Sequence, residues 1–211
     1  MTEAVIFDMD GTLFDTETIF QKEWNAIAKE RGIVLPPPFK YEICGTSGDR
    51  MNRVIETYYQ VKDGESIQQE CKKRVAAFLA KKVPLRPGCE EILDHLQRKH
   101  IPMAIGSSCN KELIESNLKV SGFSSYFQVI VSGDEIEHGK PAPDIFLLAA
   151  EKLHMKPDHC YVVEDSPNGI LAAHRAGMKP ILVPDLMPVT EDIKSICYRI
   201  FKTLDEAIGV L

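Results

Sequence analysis

The chain has 211 residues, enough for one or two domains and for burying about 70% of its unfolded surface, so disulfide staples are not required. A composition of 44% hydrophobic and 27% charged residues, with 13 Gly and 13 Pro, excludes collagen-like, low-complexity and disordered classes. Lys and Arg number 25 against 31 Asp and Glu, so the formal charge of -6 excludes a whole-protein positive field for nucleic acid or anionic lipid and leaves room only for a local anion site.

Met1-Thr2-Glu3 runs straight into Ala4-Val5-Ile6-Phe7 without a basic n-region, a long apolar h-region or a cleavage site, so no export signal is expected. Cys44, Cys71, Cys89, Cys109, Cys160 and Cys197 are scattered singly and read as reduced thiols of a cytoplasmic protein. The longest uncharged run, residues 120–133, contains four Ser and two Gly and falls short of a membrane span. Neither a coiled coil nor a long apolar patch is evident, and a monomer is expected.

Residues 4–7 form a short apolar run stopped by Asp8-Met9-Asp10-Gly11, the profile of a strand buried on both faces. Similar runs recur at 102–106, 128–131, 160–163 and 179–183, alternating with helical patterns at 90–99, 111–120, 143–153 and 167–176. That alternation predicts βαβ units around a parallel sheet, an α/β core made of residues 1–14 and 86–211. A short last strand near 198–201 and a closing helix from Leu204 complete it. Residues 15–85 differ, with helical periodicity at 16–31, 51–61 and 65–82 and almost no strand. Ile19, Phe20, Trp24, Ile27 and Ala28 share one face of the first of these; Cys71, Val75, Phe78 and Leu79 share one of the last. Pro36-Pro37-Pro38 reads as a rigid loop, and the whole segment as a helical insertion after the first strand.

Four strand ends carry chemistry. In extended backbone Asp8 and Asp10 point to one side, at the carboxyl end of a parallel strand where α/β sheets place ligands. An EF-hand reading fails, because Gly11 is fourth and Ile19 twelfth in that loop. Ser107-Ser108-Cys109-Asn110 follows a strand and precedes a helix, which suits either a phosphate-holding hydroxyl or an ordinary helix cap. His138-Gly139-Lys140-Pro141-Ala142-Pro143 presents Lys140 at a helix start, as an anion binder or a solvated loop lysine, and His138 reads as a loop histidine. Glu164-Asp165 ends another apolar strand; two acids there are either a surface turn or, brought near Asp8 and Asp10, a site that needs a cation, with Mg²⁺ the natural candidate.

In this order and spacing the four motifs resemble the haloacid dehalogenase superfamily, in the subgroup similar to β-phosphoglucomutase and sugar-phosphate phosphatases. Residues 5–17 match its first motif, and Ser107, Lys140 and Glu164-Asp165 its second, third and fourth. The resemblance implies a Rossmann-like three-layer core with a small α-helical cap domain, residues 15–85, inserted after the first strand. It further implies that Asp8 is the nucleophile forming an aspartyl-phosphate and that Asp10 is the general acid and then base. Mg²⁺ would be held by Asp8, the Asp10 carbonyl, Asp165 and Glu164, while Ser107, Ser108 and Lys140 would bind phosphate. Glu17, Arg50 and Asn110 are candidate substrate contacts. The mutases of this subgroup carry a histidine, an arginine and a basic residue where this chain has Phe20, Gly48 and Cys44; Arg50 stands two positions from the aligned arginine. The expectation is therefore an Mg²⁺-dependent phosphatase of a small phosphorylated metabolite, a sugar or polyol phosphate. The alternative is a β-phosphoglucomutase-like mutase. A dehalogenase would not use Asp10, no spacing marks the cap lysine of a phosphonatase, and a non-catalytic binding module would be expected to lack one of Asp8, Asp10, Lys140 or Asp165.

Overall fold

The computed structural model describes residues 3–211 apart from Gly45 and Ser47. The reading of Met1-Thr2 lies outside the described residues. The chain divides into two compact units, one of Met1–Asp15 with Pro84–Leu211 and one of Thr16–Val83.

The larger unit is built on a parallel sheet whose six strands, among the described residues, are β1 (Ala4–Phe7), β2 (Met103–Ser107), β3 (Val129–Ser132), β4 (Cys160–Glu164), β5 (Lys179–Leu182) and β6 (Arg199–Ile200). Their order is β3-β2-β1-β4-β5-β6. β1 lies inside the sheet, paired with β2 through Phe7 and Ile105 and with β4 through Phe7 and Val163, which is why all four of its residues are apolar and buried. The direction of winding reverses between β3 and β4. Right-handed crossovers therefore put α5 (Cys89–Arg98) and α6 (Lys111–Ser121) on one face, and α7 (Asp144–Lys152) and α8 (Pro167–Arg175) on the other. Ala4, Ile6, Ala104 and Val162 pack under Ile145, Phe146, Ala149, Ala172 and Ala173 of α7 and α8. On the opposite face Phe7 meets Phe127 edge-on, ring centroids 6.2 Å apart. Such an order places the carboxyl ends of β1 and β4 side by side at the reversal, where α/β sheets form their ligand crevice.

Asp15 and the pair Pro84-Leu85 fall with the sheet unit rather than with the helical segment. Backbone bonds account for this correction: Asp15 N–H donates to Pro84 O at 2.9 Å, Arg86 N–H to Leu13 O at 2.9 Å, and Phe14 bridges Leu85.

The smaller unit contains α1 (Thr16–Glu30), α2 (Pro37–Ile43), α3 (Gly48–Tyr59) and α4 (Gly64–Leu79). The triple proline is not a loop. Pro36 is the amino cap of α2, and Pro37 and Pro38 occupy first-turn positions, where a missing N–H costs no intrahelical bond. Trp24, Phe39 and Tyr59 form an edge-to-face aromatic triangle, and the Tyr59 hydroxyl donates to Trp24 O at 2.6 Å. Phe78 lies outside this core, 37% exposed, because the buried face of α4 runs through Ile67, Gln68, Cys71, Val75 and Leu79.

Two further corrections fall near the carboxyl end. Glu191–Ile196 is a helix, α9, capped by Thr190 and too short for a clear period, and the closing element is a 3₁₀ segment, Asp205–Val210. No helix among the described residues is long and apolar enough to cross a membrane.

Candidate active site

Four segments of the sheet unit meet at the carboxyl ends of β1, β2 and β4. Asp8 follows β1 directly; its N–H donates to Val163 O at 3.0 Å, which ties the start of the first motif to β4. The turn after it needs glycine at Gly11, which has φ +83° and lies so close to Asp165 that a Cβ would stand 2.6 Å from Oδ2. Thr12, fully buried, donates its hydroxyl to Asp165 Oδ1 at 3.0 Å. First and fourth motifs are thereby locked together through a hydroxyl and an absent side chain.

Lys140 reaches this place from the loop before α7. Its Nζ donates to Asp8 Oδ1 at 2.5 Å and to Glu164 Oε1 at 2.8 Å, and lies 4.8 Å from the centre of the Phe146 ring. Arg175 holds the loop by donating to Pro141 O at 2.8 Å. Lys140 is thus no solvated lysine; its side chain is 7% exposed. Glu164 Oε2 accepts from Ser166 N–H at 2.8 Å and Ser166 Oγ at 2.9 Å, so both of its oxygens are engaged.

The second motif lies beyond β2. Ser107 is buried and its Oγ accepts from Cys109 N–H at 3.2 Å, which leaves the hydroxyl proton available to an anion. Ser108 is exposed beside it, and its carbonyl packs against Gly133, where a Cβ would stand 2.4 Å from that oxygen. Cys109 Sγ donates to Asp10 Oδ2 at 3.0 Å. Asn110 caps α6, its Oδ1 accepting from Leu113 N–H at 2.9 Å.

Burial pushes the Asp8 carboxyl up to about 7, against the pull of Lys140 and with the push of the Glu164 charge. The same desolvation, reinforced by the charges of Glu164, Asp8 and then Asp185, holds Asp165 well above the ordinary carboxylate range. Lys140 is held above the usual lysine range by Asp8 and Glu164, which overcome the burial that opposes its charge. Asp185 is itself paired, Arg86 donating to its Oδ1 at 2.7 Å and to Pro184 O at 3.1 Å. Among the described residues no three His, Cys, Asp or Glu side chains are already drawn round a common point as a metal cage. What is present is an all-oxygen set of buried acids, Asp8 and Asp165, whose ionisation is resisted by burial and mutual charge.

The structure brings Asp8, Lys140 and Glu164 together, joins Asp165 to Thr12, and joins Asp10 to the loop of Ser107 and Ser108. In the smaller unit Glu17 Oε2 accepts from Cys44 Sγ at 3.3 Å, and Cys44 Sγ accepts from Gln21 Nε2 at 3.5 Å. Arg50 lies exposed in the first turn of α3, and His138 pairs with Asp144 at 3.2 Å on the surface of the larger unit. Sequence reasoning missed the parts played by Thr12, Cys109, Ser166, Arg86 and Asp185. Only Thr12 carried a signal, its place inside the first motif.

The family described as haloacid dehalogenase-like hydrolases matches residues 5–183. The chain is similar to a phosphorylated carbohydrates phosphatase of Thermotoga maritima, 34% identical over 183 residues that cover 85% of this chain and 83% of that protein. It is 32% identical over 179 residues to a fructose-1-phosphate phosphatase of Escherichia coli, covering 84% of this chain and 94% of the other. Among solved structures it is similar to a putative β-phosphoglucomutase from Thermotoga maritima, with a TM-score of 0.83, 27% identity, and coverage of 99% of this chain and 98% of that one.

Proposed function

The chain belongs to the haloacid dehalogenase-like hydrolases and is a phosphoric monoester hydrolase; from that premise we propose that it removes phosphate from a phosphorylated sugar or polyol through an aspartyl-phosphate on Asp8. The observation that carries the reading is Lys140 Nζ held between Asp8 Oδ1 and Glu164 Oε1. A carboxylate cannot approach a phosphate dianion without a positive charge beside it, and this lysine is fixed, buried and charged at that position.

Asp8 attacks phosphorus and the bond from phosphorus to the leaving oxygen breaks, with Asp10 giving that oxygen a proton. Asp10 then takes a proton from the water that attacks the phospho-aspartate, the bond to Asp8 breaks, and inorganic phosphate leaves. Ser107, Ser108 and Lys140 hold the non-bridging oxygens. Glu164 keeps Lys140 in place, and Thr12 orients Asp165.

The residues fit a divalent cation. Asp8 and Asp165 are hard oxygen donors in a buried place that resists their charge, with Lys140 paired to Asp8, which suits Mg²⁺. Asp8, the Asp10 carbonyl and Asp165 would hold it, with Glu164 contributing through water because its own oxygens are engaged. When bound, Mg²⁺ supplies charge neutralisation at the phosphoryl oxygens.

The likeness to a putative β-phosphoglucomutase favours a second reading, a sugar-phosphate mutase. Against it stand Phe20, Cys44 and Gly48 at the places of three polar or charged mutase contacts. The deciding experiment supplies β-glucose 1-phosphate, with and without glucose 1,6-bisphosphate and Mg²⁺, beside a panel of sugar and polyol phosphates. Phosphate release independent of bisphosphate is expected. Bisphosphate-stimulated glucose 6-phosphate formation that outpaces phosphate release would replace the phosphatase reading with the mutase one.

A further inference from the structure

We infer that Cys109 is a positioning residue for Asp10, its thiol holding one carboxylate oxygen so that the proton carrier keeps its place relative to the bound phosphate. The inference rests on the reading of Asp10 as general acid and base. Its basis is geometric: Sγ lies 3.0 Å from Asp10 Oδ2, short for a sulfur donor, between residues 99 apart in the chain.

The backbone on either side of that thiol is itself fixed. Cys109 N–H donates to Ser107 Oγ at 3.2 Å, and Cys109 O accepts from Gly133 N–H at 2.9 Å. One residue further on, Asn110 caps α6. A single short loop therefore carries the proposed phosphate-holding hydroxyls of Ser107 and Ser108 and the donor to Asp10. Phosphorus and proton carrier are referred to the same backbone, which is what in-line transfer to and from one oxygen requires. In the pair with Asp10 the thiol is the hydrogen-bond donor, and it is held there by the fixed backbone on either side.

Two aryl esters of similar shape separate positioning from general damage. Phenyl phosphate has a poor leaving group that needs the proton from Asp10, whereas p-nitrophenyl phosphate needs it much less. C109A is expected to lower kcat/KM on phenyl phosphate by about two- to tenfold, the range for one lost hydrogen bond, and to lower it less on p-nitrophenyl phosphate. C109S, which keeps a donor, should restore most of the loss. In a D10A background C109A should cost nothing further, since the group it positions is gone. C109V deletes the donor at similar volume and replaces C109A if the alanine variant folds poorly by circular dichroism.

Equal losses on both esters, no loss on either, no rescue by serine, or a full additive loss in D10A would each overturn the inference. If D10A alone leaves phenyl phosphate turnover intact, it is the acid–base reading of Asp10 that fails. No turnover of either ester by the parent chain would overturn both.

Discussion

A Cβ at Gly169 would stand 1.7 Å from Glu164 Oε1, inside the volume of that carboxylate. Gly169 lies in the first turn of α8, its N–H donating at 3.1 Å to Ser166 Oγ, which in turn donates to Glu164. The carboxylate that holds Lys140 thus occupies the space where a side chain would be. G169A should push Glu164 aside, cost about 1–3 kcal/mol of stability as overpacking, and lower kcat/KM at least tenfold through the displaced lysine. Urea melts and a phosphate-release assay measure the two effects, and a variant that matched the parent in both would contradict this packing.

Replacing Lys140 by methionine removes the cation that, among the described residues, pairs with both Asp8 and Glu164, and leaves two buried carboxylates facing each other. Loss of one member of a buried pair is expected to cost about 3–5 kcal/mol at neutral pH. The sign of the pH dependence follows from the charge that remains. Without the lysine the folded protein resists ionising Asp8, which burial already pushes up, so stability returns as the pH falls and Asp8 takes up its proton. Melts of K140M at pH 5 and pH 8 should show the smaller deficit at the lower pH; a deficit independent of pH would count against the buried charge pair.

Asp165 presents the same logic with a different remedy. Its folded-state carboxyl is held well above its ordinary range, so the stability it contributes is present below that ordinary range and lost as pH rises through the elevated value. In chelator above neutral pH, D165N should melt higher than the parent by at least about 2 °C, the shift that about 1 kcal/mol gives in a chain of this length. The gap should narrow on acidification, and added Mg²⁺ should raise the melting temperature of the parent more than that of D165N. A variant that melts below the parent in chelator at every pH would refute the argument.

D8N changes the proposed nucleophile with almost no change in volume and keeps an oxygen able to accept from Lys140. Turnover should fall by roughly 10⁶-fold, as for other covalent catalysts that lose their nucleophile. Intact mass after acid quenching should show a phosphorylated parent and an unmodified variant. More than a few per cent of residual activity would remove Asp8 from its role.

The α/β alternation was legible because strands buried on both faces leave continuous apolar runs, and the chemistry was legible because each motif sits at the end of such a run. The links between motifs were not. Thr12 and Asp165 are 153 positions apart, and their hydrogen bond depends on β1 pairing with β4, a fact of strand order that no local period encodes. The α2 helix was missed for a local reason: three prolines read as loop until a first turn that needs no N–H is considered. Gly169 gave no sign either, since a glycine required by a carboxylate from a neighbouring strand looks like any other glycine in a helix start.

The position of β1 in the sheet has a consequence for how the chain is made. This strand emerges before its partners, since its first neighbour, β2, begins at Met103 and its second, β4, at Cys160. At about 5–20 residues per second, an apolar strand stays unflanked for several seconds while the intervening chain is translated. The helices from Thr16 to Leu79 build contacts among themselves in that interval, whereas Ala4–Phe7 can acquire none of its sheet partners. A ribosome stalled before residue 160 would therefore display the segment bearing Asp8 with one edge uncovered, a natural target for a chaperone that grips short hydrophobic strands.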